Sequence, residues 1–146
     1  MSVLEVLGQI DLNAPPAGII TPVTGSVSAG FPSPAEGWFR GDLDLNEHLI
    51  RDKNSTFLLN VAGDSMTGAG IFDGDHIIVD RSITPSLGAV VVAIVDGELT
   101  LKTLAREGGR LILRAENPRF PSIALEGDLD AQLWGTVVWN LHRHQT

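Results

Sequence analysis

The 146-residue chain contains no cysteine. This excludes a disulfide framework and a thiolate metal site, and it is compatible with the reducing cytoplasm, where we expect the protein to be located. No apolar run approaches the roughly 20 residues that a membrane-spanning helix needs. The N-terminus also lacks a basic segment followed by an apolar one, so neither a membrane anchor nor a signal peptide is predicted.

Positive charge is also scarce. The chain has 10 basic and 18 acidic residues, a net charge of −8, and no Lys or Arg before Arg40. Binding to a nucleic acid backbone needs a clustered positive surface. We therefore expect no direct specific binding to DNA and expect proteins as partners.

Glycine and proline are plentiful, with 16 and 8 residues, and they divide the chain unevenly. Residues 1–40 contain Pro15-Pro16, Pro22 and no sustained apolar period, which predicts an extended N-terminal arm. Trp38-Phe39 would anchor the base of this arm through their large apolar area. Residues 41–146 are predicted to form one domain with a hydrophobic core.

Short apolar runs separated by tight turns follow in the second part of the chain. Asp96-Gly97 and Gly108-Gly109 are typical two-residue hairpin turns, so Val90–Val95 should pair with Leu99–Leu104, and that strand with Leu111–Arg114. This spacing predicts a mostly β, curved and partly closed sheet. The predicted strands are Phe57–Ala62, His76–Arg81, Ala89–Val95, Leu99–Leu104, Arg110–Ala115 and Trp134–His142.

Three smaller features are expected to be structural. Leu43 to Ile50 fits a short helix capped near Asp44 or Asn46. His142 and His144 lack a third ligand nearby in sequence, and Asp73-Gly74-Asp75 has the composition of a turn. No metal and no cofactor is therefore predicted.

A chemically suggestive pair is formed by Ser65 and Lys102. Ser65 follows the apolar run that ends at Ala62, in the turn Gly63-Asp64-Ser65-Met66, where a rigid strand would hold a nucleophile facing a cleft. Lys102 lies in an apolar strand, where burial disfavours its charged form and lowers its pKa. The alternative is that Ser65 is an ordinary turn residue and Lys102 points into water.

Together with Ala29-Gly30, these residues resemble the cleavage site, nucleophile and general base of the LexA/UmuD family of serine-lysine self-cleaving peptidases. The similarity covers about residues 28–140 and is greater to the UmuD branch. The motifs that carry it are Gly30-Phe31-Pro32-Ser33-Pro34-Ala35, Leu43-Asp44-Leu45-Asn46, Gly74-Asp75 with Ile78-Val79-Asp80, and Val95-Asp96-Gly97-Glu98.

The resemblance implies a self-cleaving, homodimeric accessory subunit of an SOS-induced translesion DNA polymerase of the polymerase V type. It implies that a RecA filament on single-stranded DNA stimulates cleavage between Ala29 and Gly30, and that the shortened protein joins a Y-family, UmuC-like polymerase. Ala29 is a departure from the best-known UmuD, which has cysteine there, but it matches LexA-type proteins. The missing upstream DNA-binding segment favours the UmuD branch over a repressor.

Two other functions remain open. One is a protein-binding module of the same fold whose arm is never cut. The other is a signal-peptidase-like protease, which also uses a serine-lysine pair but needs a membrane anchor.

Overall fold

A computed structural model of the protein describes residues 3–9, 19–20 and 43–145. Most of this part of the chain is β structure, and the two α-helices and the one 3-10 helix (Thr67–Ala69) are short. The elements are β1 (Val3–Gln9), β2 (Ile19–Ile20), β3 (Leu43–Asp44), α1 (Leu45–Leu49), β4 (Thr56–Ala62), β5 (His76–Asp80), β6 (Val90–Val95), β7 (Glu98–Glu107), β8 (Arg110–Arg114), β9 (Ile123–Ala124), α2 (Leu129–Gln132) and β10 (Leu133–Leu141).

The chain divides into two compact units. Residues 11–51 form one, in which β2 pairs with β3 and α1 begins after Asp44, whose side chain accepts a hydrogen bond of 2.9 Å from the backbone of Asn46. This confirms the short capped helix. Residues 1–10 group with 52–146. In this larger unit β1 pairs with β4. The domain boundary expected at residue 40 stays a prediction.

Eight strands of the larger unit form one antiparallel sheet in the order β1-β4-β5-β10-β6-β7-β8-β9. The two predicted hairpins are present. Asp96 and Gly97 join β6 to β7 with φ of 51° and 78°, and Gly108 and Gly109 join β7 to β8 with φ of 58° and 76°. Positive φ at both central residues gives a turn that matches the right-handed twist of the strands.

The sheet buries apolar side chains on both faces, since Val92 belongs to one core cluster and its neighbours Val91 and Ala93 belong to the other. The backbone of edge strand β1 approaches within 8 Å of β7, although the described edge strands β1 and β9 do not pair with each other. The prediction of a mostly β, curved and incompletely closed fold is therefore confirmed. One core cluster contains Leu59, Val61, Met66, Ile71, Ile77, Val79, Val92 and Leu101; the other contains Val91, Ala93, Leu104 and Leu113.

Strand β1 is not predicted by the sequence pattern. Its pairing with β4 shifts register between Val6 and Gly8, so the alternation that identifies a strand is interrupted after four residues. Within the described residues, no helix has the length and apolar character required to span a bilayer.

Candidate active site

The turn after β4 holds Ser65 inside the protein. Gly63 begins the turn with φ of 98°, a conformation that glycine adopts without strain. Ser65 and Met66 both have no exposed surface, and Met66 belongs to the larger core cluster. The expected position of the serine hydroxyl beside a cleft stays a prediction.

Hydrogen bonds from two distant segments fix this turn. Asp73 accepts a bond of 2.8 Å from the backbone N–H of Gly63, and Asn117 donates one of 2.9 Å to the carbonyl oxygen of Asp64. Gly68 N–H donates to the carbonyl oxygen of Glu116 at 2.7 Å. Because the turn is held at both ends, the position of Ser65 is set by the surrounding structure.

These hydrogen bonds, called braces below, are not predicted by the sequence. Turn chemistry alone accounts for Asp73 at the level of sequence, and Asn117 lies 53 residues from the group it binds. The one feature of the sequence that could have indicated these hydrogen bonds is the pair of aspartates in Asp73-Gly74-Asp75. Each of its carboxylates accepts a backbone N–H, from Gly63 and Phe72 respectively.

Lys102 lies in the middle of β7, as predicted, and is only 2% exposed. Its Nζ donates to the carbonyl oxygen of Leu101 at 3.0 Å and lies 3.4 Å from Oγ1 of Thr100. No salt bridge to Lys102 occurs among the described residues. Burial lowers the pKa of Lys102 below the ordinary value for lysine, because the surroundings do not solvate the charge.

The Ser65 turn and the Lys102 strand meet the same end of β8. Arg114, the last residue of β8, pairs with Thr103, which follows Lys102. Glu116 and Asn117 come directly after this end and bind the turn at Gly68 and Asp64. Met66 and Leu101 also belong to one core cluster. Direct contact between the side chains of Ser65 and Lys102 stays a prediction.

The end of the chain packs against the other side of the Asp73-Gly74-Asp75 turn. Asp75 is 1% exposed and accepts hydrogen bonds from Phe72 N at 2.9 Å and Asn140 Nδ2 at 3.3 Å. Its Oδ1 also contacts Nδ1 of His142. The ring of His142 packs on His144 with centroids 5.1 Å apart. In the described part of the chain, no three His, Cys, Asp or Glu side chains are arranged to hold a metal.

The predicted cleavage site lies elsewhere in the chain. Ala29, Gly30 and the predicted anchor Trp38-Phe39 are outside the described residues. Their roles stay predictions. The described residues provide a serine in a hydrogen-bonded turn and a buried lysine.

The described residues thus form a mostly β domain that contains a buried serine in a hydrogen-bonded turn and a buried lysine of lowered pKa. The family described as Peptidase S24-like matches residues 22–138, which shows a protein of the serine peptidase type. Protein MucA of Salmonella typhimurium is 40% identical over 119 residues, which cover 81% of each chain. Protein ImpA of Escherichia coli is 38% identical over 116 residues, covering 79% of this chain and 78% of ImpA.

A third relative is the LexA repressor of Acidothermus cellulolyticus, which is 35% identical over 136 residues. That match covers 93% of this chain but 48% of the repressor. The chain therefore belongs to the Peptidase S24-like family, and within the LexA/UmuD group it is of the UmuD type. The family resemblance predicted from the sequence motifs is confirmed.

Proposed function

We propose that the protein is a self-cleaving serine peptidase that cuts its own chain between Ala29 and Gly30. Ser65 is the nucleophile and Lys102 the general base. The observation that carries this proposal is the burial of Lys102, which lowers its pKa and favours the neutral amine. Only the neutral amine has a lone pair with which to accept the serine proton.

In the proposed reaction, Nζ of Lys102 takes the proton of the Ser65 hydroxyl while Oγ attacks the carbonyl carbon of Ala29. The backbone N–H of Ser65 is the candidate donor to the oxyanion. Lys102 then gives the proton to the nitrogen of Gly30, and the bond between Ala29 and Gly30 breaks. Water hydrolyses the resulting ester, which frees residues 1–29 and restores Ser65. The step requires no metal and no cofactor.

Burial of both side chains supports a need for a trigger. Ser65 has no exposed surface and Lys102 is 2% exposed, so we propose that cleavage requires a conformation in which the Ala29–Gly30 bond is engaged at this buried site. A partner that binds the engaged conformation raises its population by its differential affinity. We propose that this partner is the RecA filament on single-stranded DNA, as in the LexA/UmuD family, and that cleavage belongs to the SOS response to DNA damage.

The shortened protein is proposed to act in the cytoplasm as a homodimer that joins a UmuC-like, Y-family DNA polymerase in translesion synthesis. The relatives named MucA and ImpA, which align over about four fifths of this chain, support a UmuD-like role. The net charge of −8 is consistent with binding to proteins rather than directly to DNA.

Mass spectrometry of the purified protein tests the cleavage directly. Incubation near pH 10, about the ordinary pKa of lysine, should produce a chain that begins Gly30-Phe31-Pro32 even without RecA. At neutral pH the same product should require the RecA filament. Ser65→Ala and Lys102→Ala should stay intact under both conditions. Cleavage at another bond, or in either variant, would refute the proposed dyad.

The alternative is a protein-binding module whose arm is not cut. The same experiment separates the two functions. An intact chain at both pH values and with RecA would support the binding module.

A further inference from the structure

Strand β1 (Val3–Gln9) fills the edge position of the sheet beside β4, the strand that leads to Ser65, and this position is called the slot below. The strand pairs with β4 at six positions, from Val3 opposite Ala62 to Gln9 opposite Phe57. Its backbone also approaches within 8 Å of β7, which carries Lys102. On its other side β4 pairs with β5. β1 is thus the sole described strand that hydrogen-bonds to this side of β4.

The slot would be left open by the reaction proposed above. Residues 3–9 lie before the Ala29–Gly30 bond, so cleavage places β1 on the released fragment. While the chain is intact, the tether keeps β1 at a high effective concentration near β4, and cleavage removes this advantage. The pairing also contains a bulge between Val6 and Gly8, where the ladder is disrupted. These features favour dissociation of β1 after cleavage.

The side of β4 that β1 covers has none of the usual protection of an exposed edge. Proteins commonly place charged residues or proline on edge strands to prevent pairing with other chains. The strand from Thr56 to Ala62 contains neither. Without β1, its free N–H and C=O groups would accept a new strand.

The occupant of the slot in the intact chain indicates what kind of partner fits. It is one extended strand, Val3–Gln9, which runs antiparallel to β4. A single extended segment can repeat this pairing, and pairing with the sheet edge of a second copy is an outcome that the test below distinguishes.

We propose that self-cleavage opens this slot and that it then binds one extended segment of a partner protein, antiparallel to β4. The inference rests on the proposed function, because cleavage is what detaches β1. The register of β1 on β4 indicates which positions of the bound segment must carry apolar side chains. Val61 and Leu59, which lie opposite Leu4 and Val6, are fully buried. Since directly opposed residues share a face of the sheet, the segment needs apolar residues at these two positions.

The test uses a full-length Ser65→Ala chain with the recognition sequence of a site-specific protease inserted after Ala29. The added protease makes the cut, so the result does not depend on Ser65 or Lys102 and the cleavage proposal is tested separately. After cutting, gel filtration removes the fragment. Hydrogen exchange is then measured in β4, with β5 as an internal control because it is paired on both sides by β4 and β10.

The expected result is release of the fragment and a roughly tenfold or greater acceleration of exchange in β4, with β5 unchanged. A synthetic peptide of residues 1–10 should restore protection of β4. The same peptide with Leu4→Asp and Val6→Asp should not, because a carboxylate opposite a buried residue must be desolvated.

Several results would overturn the proposal. The fragment could co-elute with the body, β4 could stay protected without it, or both peptides could protect β4 equally. Dimerisation that protects β4 in the absence of peptide would show that a second copy, rather than a single segment, occupies the slot. Loss of protection in β5 as well would show that β1 stabilises the whole sheet instead of covering a binding slot.

Discussion

Adding one methyl group at Gly68 should disable the proposed nucleophile turn without removing any functional side chain. A Cβ at this position would lie 2.5 Å from the carbonyl oxygen of Glu116, whereas ordinary contact begins at 3.4 Å. The same carbonyl accepts the N–H of Gly68 at 2.7 Å. In Gly68→Ala the turn and the end of β8 must therefore separate by nearly 1 Å.

The size of this displacement determines how far the cleavage rate and the stability should fall. A misplacement of about 1 Å costs on the order of 10²-fold in rate when it affects the reacting atoms. Overpacking of this kind also destabilises by about 1–3 kcal/mol. We expect Gly68→Ala to fold, with a lowered midpoint of urea unfolding, and to self-cleave about 100-fold more slowly at high pH.

The variant Gly109→Ala is a control that separates the effect of a displaced Ser65 turn on the cleavage rate from the effect of lower protein stability. Gly109 has φ of 76° and no atom within 4 Å of a Cβ, so Gly109→Ala strains a hairpin turn without a clash. It should cost about 1–2 kcal/mol and leave the cleavage rate near that of the wild type. Cleavage is followed by gel electrophoresis over time. A folded Gly68→Ala protein that cleaves at the wild-type rate would refute the role of this turn.

Three further predictions follow from the site. Because burial lowers the pKa of Lys102 in the folded protein, the unfolded chain binds more protons between the folded and unfolded pKa values, and wild-type stability rises with pH across that interval. Lys102→Met should abolish cleavage and remove this pH dependence. It should also raise the free energy of unfolding near neutral pH, as measured by urea denaturation, because no charge is then buried. A destabilised Lys102→Met would contradict the desolvation argument. Asn117→Ala removes the bond to the Asp64 carbonyl and should slow cleavage about fivefold, equivalent to one hydrogen bond of about 1 kcal/mol, and an unchanged rate would show that this brace is dispensable. His142→Ala deprives the buried Asp75 of one partner and should lower stability by about 1–2 kcal/mol in thermal or urea unfolding, whereas Arg143→Ala, at an exposed position, should not.

The strands of the body were predictable because their determinants are local. Turn residues such as Asp96-Gly97 specify a hairpin through their own φ values, and apolar runs identify the strands on either side. The burial of Lys102 was likewise predictable from the apolar residues around it in β7. The structure confirms both the hairpin and the buried lysine.

Features that depend on distant partners were not predictable. β1 is stabilised by pairing with β4, more than 45 residues away in sequence, and its own pattern is broken by a bulge. The brace from Asn117 to Asp64 spans 53 residues. The full burial of Ser65 is also set by tertiary packing, since the turn sequence by itself is compatible with an exposed hydroxyl.

The central claim is that burial makes Lys102 a base, and an NMR titration of its side chain tests this claim most directly. The full-length Ser65→Ala protein would stay intact during the titration, and its only other lysine, Lys53, supplies a second resonance. Comparison with a Ser65→Ala protein that also carries Lys102→Met assigns the signals. If burial makes Lys102 a base, its pKa lies below the ordinary lysine value of about 10.4. A Lys102 that titrates at or above that value would contradict this claim.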